Sequence, residues 1–124
     1  MNENIHFNKT IPILRIFDVE KAKEFYIKIM EFDLDWEHAF EESLPLYMQV
    51  SKGNCMLHLS EHHGDSSPGA AVRIEVDGID RFLTSITNKN YRFAKPHIEH
   101  TPWQTKEFQM IDPFGNKIIF YQGC

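Results

Sequence analysis

The chain has 124 residues, 42% of them hydrophobic and 13% aromatic, which suits one domain with a substantial core. Its formal net charge of −5 argues against nucleic acid, which requires clustered Lys and Arg. No apolar run approaches the ~18 residues that a membrane span needs, and the polar start "MNENIHFNKT" lacks an apolar signal core.

Residues 10–17 are β-branched and apolar and predict a strand. Asp18 then supplies a helix N-cap, and Val19, Ala22, Phe25, Tyr26, Ile29 and Met30 follow at helical spacing as one apolar stripe. Three strands are expected next, in "DLDWEHAF", "LPLYMQVSK" and "NCMLHLSE", with turns near Glu41–Ser43 and at Gly53–Asn54. The stretch "HHGDSSPG" reads as a polar loop. A strand over 70–76 ends at Asp77–Gly78, and Ile79, Phe82, Leu83 and Ile86 give a second helical stripe. Further strands are expected over 95–100, 106–111 and 117–121. The last two are separated by "DPFGN", whose proline and glycine positions suit a type I turn.

The order strand, helix, strand, strand, strand thus occurs twice. "LRIFDVEKAKEFY" corresponds to "IEVDGIDRFLTSI" at a shift of 60 residues, and "GNCMLHL" to "GNKIIFY" at a shift of 62. A nearly constant shift argues for an internal duplication. The expected fold is α+β: a single domain over 1–124 made of two tandem βαβββ modules, about 8–61 and 69–122. Each module's sheet carries its helix on one face, and the two remaining faces curve around a cleft.

The two cysteines, Cys55 and Cys124, form no disulfide framework and no CxxC, which points to a reducing cytoplasm. No nucleophile elbow and no phosphate loop is present. The stretch "CMLHLSEHHGDSSPG" holds His58, His62, His63, Glu61 and Asp65. On a strand His58, Ser60 and His62 share a face. A His58–His62 pair with Asp65 would make only an incomplete, exposed metal site. The plainer reading is a strand end running into a solvated loop. His58 itself fits two roles, a half-buried neutral histidine bonded to a neighbour or a ligand-facing group.

Trp36, His38 and Phe40 alternate on the second strand and therefore share a face, and Tyr47 follows on the third. Core packing and ligand contact both suit Trp36 and Phe40. Trp103, in "TPWQT", has less core to fill and points to ligand or dimer contact. Arg73 and Glu75 read as a solvated or ion-paired outer row. His97, Glu99 and Thr101 read as a polar row at a sheet surface.

"RIFDVEKAKEFYIKIMEF", "RIEVDGIDRFLTSI" and above all "MIDPFGNKIIFYQ" resemble the vicinal-oxygen-chelate superfamily of glyoxalases, extradiol dioxygenases and bleomycin-resistance proteins. "LHLSEHHGDSSPGA" and "TPWQTKEFQMIDPFGN" resemble its bleomycin-resistance-like members. The resemblance implies the paired modules, a homodimer, and four metal-ligand positions in the metal-using members. Those positions fall at Ile11, His58, Ala71 and Ile119, of which only His58 is a donor. One-residue slips reach Pro12, Ala70, Val72, Ile118 or Phe120, none of them a ligand. The resemblance therefore implies a cofactor-free protein that sequesters a cationic aromatic antibiotic of the bleomycin type. Trp36, His38, Phe40, Tyr47, His58 and Trp103 would contact it, and Glu37, Glu41, Glu42, Glu61 and Asp65 would add negative potential. A metal-dependent lyase or dioxygenase is the alternative, and a small-molecule sensor is a third reading.

Overall fold

The computed structural model describes residues 4–39, 41, 45–89 and 96–124. Strand β1 covers Ile13–Arg15, shorter than the 10–17 stretch of apolar residues. Pro12 explains the limit. It has no N–H to give to a ladder, and it contributes only its carbonyl, which accepts from the His58 amide at 2.9 Å.

Asp18 caps helix α1, Val19–Lys23, by accepting from the Lys21 amide at 3.0 Å. The helix then widens into a π-helical stretch, Glu24–Ile29. Ala22, Phe25, Tyr26, Ile29 and Met30 are buried, as the stripe predicts. The stretch closes with the Phe32 amide bonded to the Tyr26 carbonyl and Glu31 at φ 62°. Lys89 of the second module steadies this left-handed turn. Its Nζ lies 2.9 Å from the Glu31 carboxylate and donates to the Ile29 carbonyl at 3.0 Å.

Strands β2 (Asp33–His38), β3 (Tyr47–Lys52) and β4 (Cys55–Ser60) complete the first sheet, ordered β1-β4-β3-β2. Strand β1 runs parallel to β4, and the other pairs are antiparallel. Lys52 pairs with Cys55 across the turn at Gly53–Asn54, where Gly53 takes φ 58°. The expected turn near Glu41–Ser43 lies largely outside the described residues.

The second module repeats the plan. Strands β5 (Ala71–Glu75), β6 (Glu99–His100), β7 (Thr105–Ile111) and β8 (Lys117–Gly123) are ordered β5-β8-β7-β6, with β5 parallel to β8. Helix α2, Ile79–Asn88, starts at Gly78 with φ 82°. Gln122 takes the place of a local cap: its Oε1 accepts from the Gly78 and Ile79 amides at 3.0 and 2.9 Å. The two modules are thus topologically identical, and the fold is α+β as the duplication implies.

Alternation puts Leu14, Met48, Val50, Leu57 and Leu59 on the buried face of the first sheet. Phe108, Met110, Ile118 and Phe120 occupy the buried face of the second. One hydrophobic cluster runs through both modules and both helices. Among the described residues, the opposite face of each sheet is open, with Trp36 on the first and Ile111 on the second exposed.

The "DPFGN" turn ties the modules together. The Gly115 amide closes it on the Asp112 carbonyl at 3.1 Å, and Gly115 takes φ 87°. Asp112 is buried and its Oδ1 accepts from the Phe114 and Asn116 amides at 2.9 and 2.8 Å. Its Oδ2 accepts from the Asn116 side chain at 2.9 Å and from the Tyr26 hydroxyl at 2.6 Å. Asn116 also donates to the Arg15 carbonyl at 2.8 Å and accepts from the Ala70 amide at 3.1 Å. Burial first, and the Asp112 carboxylate second, push the Tyr26 hydroxyl well above its ordinary pKa of 10.0.

Losing the hydroxyl in Tyr26→Phe should lower unfolding free energy by about 2 kcal/mol, the range for a bond to a charged acceptor. Asp112→Ala orphans two amides and two side chains and should cost at least about 3 kcal/mol. Urea unfolding checks both. Because the folded Tyr26 holds its proton more tightly than the unfolded chain does, stability should decline as pH rises past 10.0. That decline should be smaller in Tyr26→Phe.

Candidate functional site

On the open face of the first sheet, β2, β3 and β4 bring Trp36, Tyr47, Gln49 and His58 side by side. Pairing explains this. Gln49 stands opposite Trp36 on one side and opposite His58 on the other, and Tyr47 stands opposite His38. A bulge between Leu34 and Trp36 lets Leu34 pair with Val50 while Trp36 turns to the open face.

Trp36 stacks on Tyr47, with ring centroids 6.0 Å apart and planes 13° apart. Both rings meet His58 edge-on, at 5.4 Å for Trp36 and 5.1 Å for Tyr47. Trp36 remains 43% exposed, so its ring is not consumed by core packing. The Tyr47 hydroxyl lies 2.7 Å from His58 Nδ1, and His58 Nε2 lies 3.0 Å from Gln49 Oε1. Gln49 Nε2 donates to Asp35 Oδ2 at 3.1 Å. Both ring nitrogens of His58 are therefore engaged by the protein.

Burial pushes the pKa of His58 below its ordinary 6.5 and that of Tyr47 above its ordinary 10.0, the latter helped by the Asp65 carboxylate. His62 completes the rim, its ring 6.4 Å from that of Tyr47. Asp65 accepts from the Ser60 hydroxyl at 2.7 Å, and the same oxygen of Ser60 accepts from the His62 amide at 3.0 Å. The loop is thus fastened to the end of β4.

The remaining nominated residues lie elsewhere. His38 shares the open face of β2, and Phe40 and Glu42 lie outside the described residues. Trp103 belongs to the second module and is 63% exposed. Its indole N–H donates to Glu107 at 3.2 Å. Arg73 grips the same carboxylate through both terminal nitrogens, at 3.2 and 2.8 Å, and lies 4.5 Å over the Tyr121 ring. These bonds, with Arg73 foremost, hold the Glu107 carboxyl down at about 2. Arg73 is thus paired across the sheet with Glu107, not with its strand neighbour Glu75. His97 Nε2 lies 3.4 Å from the Glu99 carboxylate, and Thr101 leaves the row to bond Thr105.

The acidic set needs correction. Glu37 sits opposite Met48, on the helix side of the sheet, and pairs with Lys23 at 2.9 Å. Glu61 is spent on the Leu46 amide at 3.0 Å. Glu41 is exposed beyond the end of β2. Among the described residues, the carboxylates beside the aromatic recess are Asp35 and Asp65. Asp35 and Gln49 were both missed in the sequence. Gln49 was legible, because it lies two residues from Tyr47 and so shares its face. Asp35 was not, because the bulge alone brings its side chain to Gln49.

Among the described residues, the recess is open to solvent at Trp36. Two cavities of about 500 and 530 Å³ follow the seam between the modules, and Asn54, Cys55, Ile74 and Glu75 line both. None of Trp36, His38, Tyr47, His58 and Trp103 lines either, because the seam passes the start of β4 and the recess lies nearer its end.

The family described as Glyoxalase superfamily protein matches residues 1–123. The chain belongs to the glyoxalase superfamily. No curated protein matches it in sequence. Among solved structures, it is similar to TnmS3, an antibiotic binding protein from Streptomyces sp. CB03234, at 21% identity and a TM-score of 0.75. That match covers 98% of this chain and 100% of the other. The bleomycin-binding protein from Streptomyces verticillus, complexed with copper(II)-bleomycin, matches at 22% identity and a TM-score of 0.72, covering 98% and 100%. A bleomycin resistance determinant encoded on the transposon Tn5 matches at 15% identity and a TM-score of 0.73, covering 94% and 98%. At such identities the likeness establishes the fold, and the chemistry must come from the site.

The metal of the metal-using glyoxalases does not fit this donor set. Beside His58 on the neighbouring strand stands Ile13, and the residue facing Ile119 is Arg73. Ile11 precedes β1, and Ala71 opens β5 opposite Lys117. Among the described residues no three His, Cys, Asp or Glu side chains converge as a metal set.

His58 also predicts the response to acid. The unfolded chain takes this proton first, so its contribution to stability is complete above about pH 6.5 and is lost as pH falls below it. Urea midpoints should drop with acidity in the native protein and drop less in His58→Asn.

Proposed function

We propose that this glyoxalase-superfamily chain is a metal-independent binding protein that sequesters a flat, cationic, aromatic small molecule of the bleomycin type. The observation that carries this reading is the recess itself: Trp36 and Tyr47 stacked, half exposed, and braced by a His58 whose nitrogens are already satisfied. A ring offered to solvent beside carboxylates attracts aromatic cations. Sequestration needs affinity and stoichiometry and no reacting group. The likeness to antibiotic-binding structures supports it at the level of fold.

The same reading includes a homodimer. Ile13 and Trp36 on the first open face and Ile111 on the second are large, exposed and apolar. Self-association about a two-fold axis would cover them and enclose the recess, with Trp103 as a second aromatic contact.

Calorimetric titration of the metal-stripped protein with copper-free bleomycin tests the reading. About one ligand per chain is expected, and Trp36→Ala should weaken binding about tenfold, which is ~1.4 kcal/mol. Absence of antibiotic binding together with stoichiometric zinc or nickel binding would replace it with the metal-dependent lyase or dioxygenase reading.

A further inference from the structure

The bonds around His58 have a direction, and Asp35 sets it. An ionised carboxylate only accepts hydrogen bonds, so the Gln49 amide must turn its nitrogen to Asp35, at 3.1 Å. The Gln49 carbonyl oxygen then faces His58 Nε2 at 3.0 Å, and that nitrogen must carry the imidazole proton. A neutral ring has only one, so Nδ1 is bare. The Tyr47 hydroxyl, 2.7 Å away, must donate to it. Tyr47 thus spends its single proton inward and has only lone pairs left for anything outside. Burial, which disfavours the charged imidazolium, keeps the ring in this neutral state.

The surroundings reinforce the asymmetry. Asp65 acts on Tyr47 electrostatically, and Asp35 is itself exposed. Among the described residues, His62 and His38 are further titratable groups near Tyr47 on this face. Trp36 stacks on the Tyr47 ring that carries these lone pairs.

We propose that the Asp35–Gln49–His58–Tyr47 chain makes the recess select aromatic ligands whose edge carries an N–H donor, with Asp35 as the specificity-determining residue. This rests on the aromatic-binding reading above and specifies the ligand's polarity. An aromatic presenting an acceptor would face the Tyr47 lone pairs and lose one bond on leaving water. That difference corresponds to roughly three- to tenfold in affinity.

Asp35→Asn tests the direction. An asparagine can donate as well as accept, so the chain is free to reverse. Gln49 would flip, His58 would carry its proton on Nδ1, and Tyr47 would regain an outward O–H. Asp35 is exposed, so the variant should fold. The probes are indole and benzofuran, which share a shape and differ in offering N–H or ring oxygen. Imidazole ¹⁵N shifts report the His58 tautomer without any ligand, and chemical-shift titration reports affinity.

The native protein should show the Nε2–H tautomer and favour indole by at least about threefold. Asp35→Asn should mix the tautomers and narrow that preference. An Nδ1–H tautomer in the native protein overturns the proposed polarity. The Nε2–H tautomer with equal affinities overturns the ligand selection and leaves aromatic binding standing. An unchanged tautomer and preference in Asp35→Asn removes Asp35 as the source. If neither probe moves the Trp36 and Tyr47 signals, the aromatic-binding reading falls together with this one.

Discussion

The contact on which the rest of the molecule depends is the buried carboxylate of Asp112. Four donors converge on it: two amides of its own turn, the Asn116 side chain and the Tyr26 hydroxyl of the other module. A buried carboxylate without such partners is costly, so the turn and the π-helical stretch that carries Tyr26 are held to one relative position. Asn116 extends the constraint to Arg15, at the end of β1, and to Ala70, at the start of the second module. The placement of β1 beside β4, and with it the first sheet's open face, is anchored at this point.

The duplication makes the contrast between the two open faces informative. Tyr47 and Gln49 on β3 correspond to Glu107 and Gln109 on β7. His58 on β4 corresponds to Ile119 on β8, since Gln49 pairs with His58 as Gln109 pairs with Ile119. One scaffold thus displays stacked rings and a hydrogen-bonded imidazole on one module and a tight Arg73–Glu107 pair on the other. In the first, the polar groups are arranged in a row ending at a half-exposed aromatic pair. In the second, the strong charges of Arg73 and Glu107 neutralise each other, and Trp103 and Ile111 are left exposed. Chemistry on this fold follows from such local substitutions and not from the architecture.

Much of the candidate site could be read from alternation. Trp36 with His38, and Tyr47 near His58, follow from the two-residue period of strands. Periodicity does not reveal departures from ideal ladders. The bulge after Leu34 brings Asp35 to Gln49, and it sends Glu37 to the helix side, where Lys23 takes it. Nor does it tell which residue of a polar row is engaged: Arg73 pairs across two strands with Glu107 and leaves Glu75 aside.

The sequence by itself determined the repeated βαβββ order, both apolar helix stripes, the closing turn and the lack of donors at Ile11, Ala71 and Ile119. All of these are local matters of residue type and period. Only the tertiary structure decided how the modules are joined, which carboxylates border the recess, and that both nitrogens of His58 are occupied. Those outcomes depend on groups distant in the chain, such as Tyr26 and Asp112 or Asp35 and Gln49, whose meeting is set by packing and register. No local pattern encodes a partner on another strand.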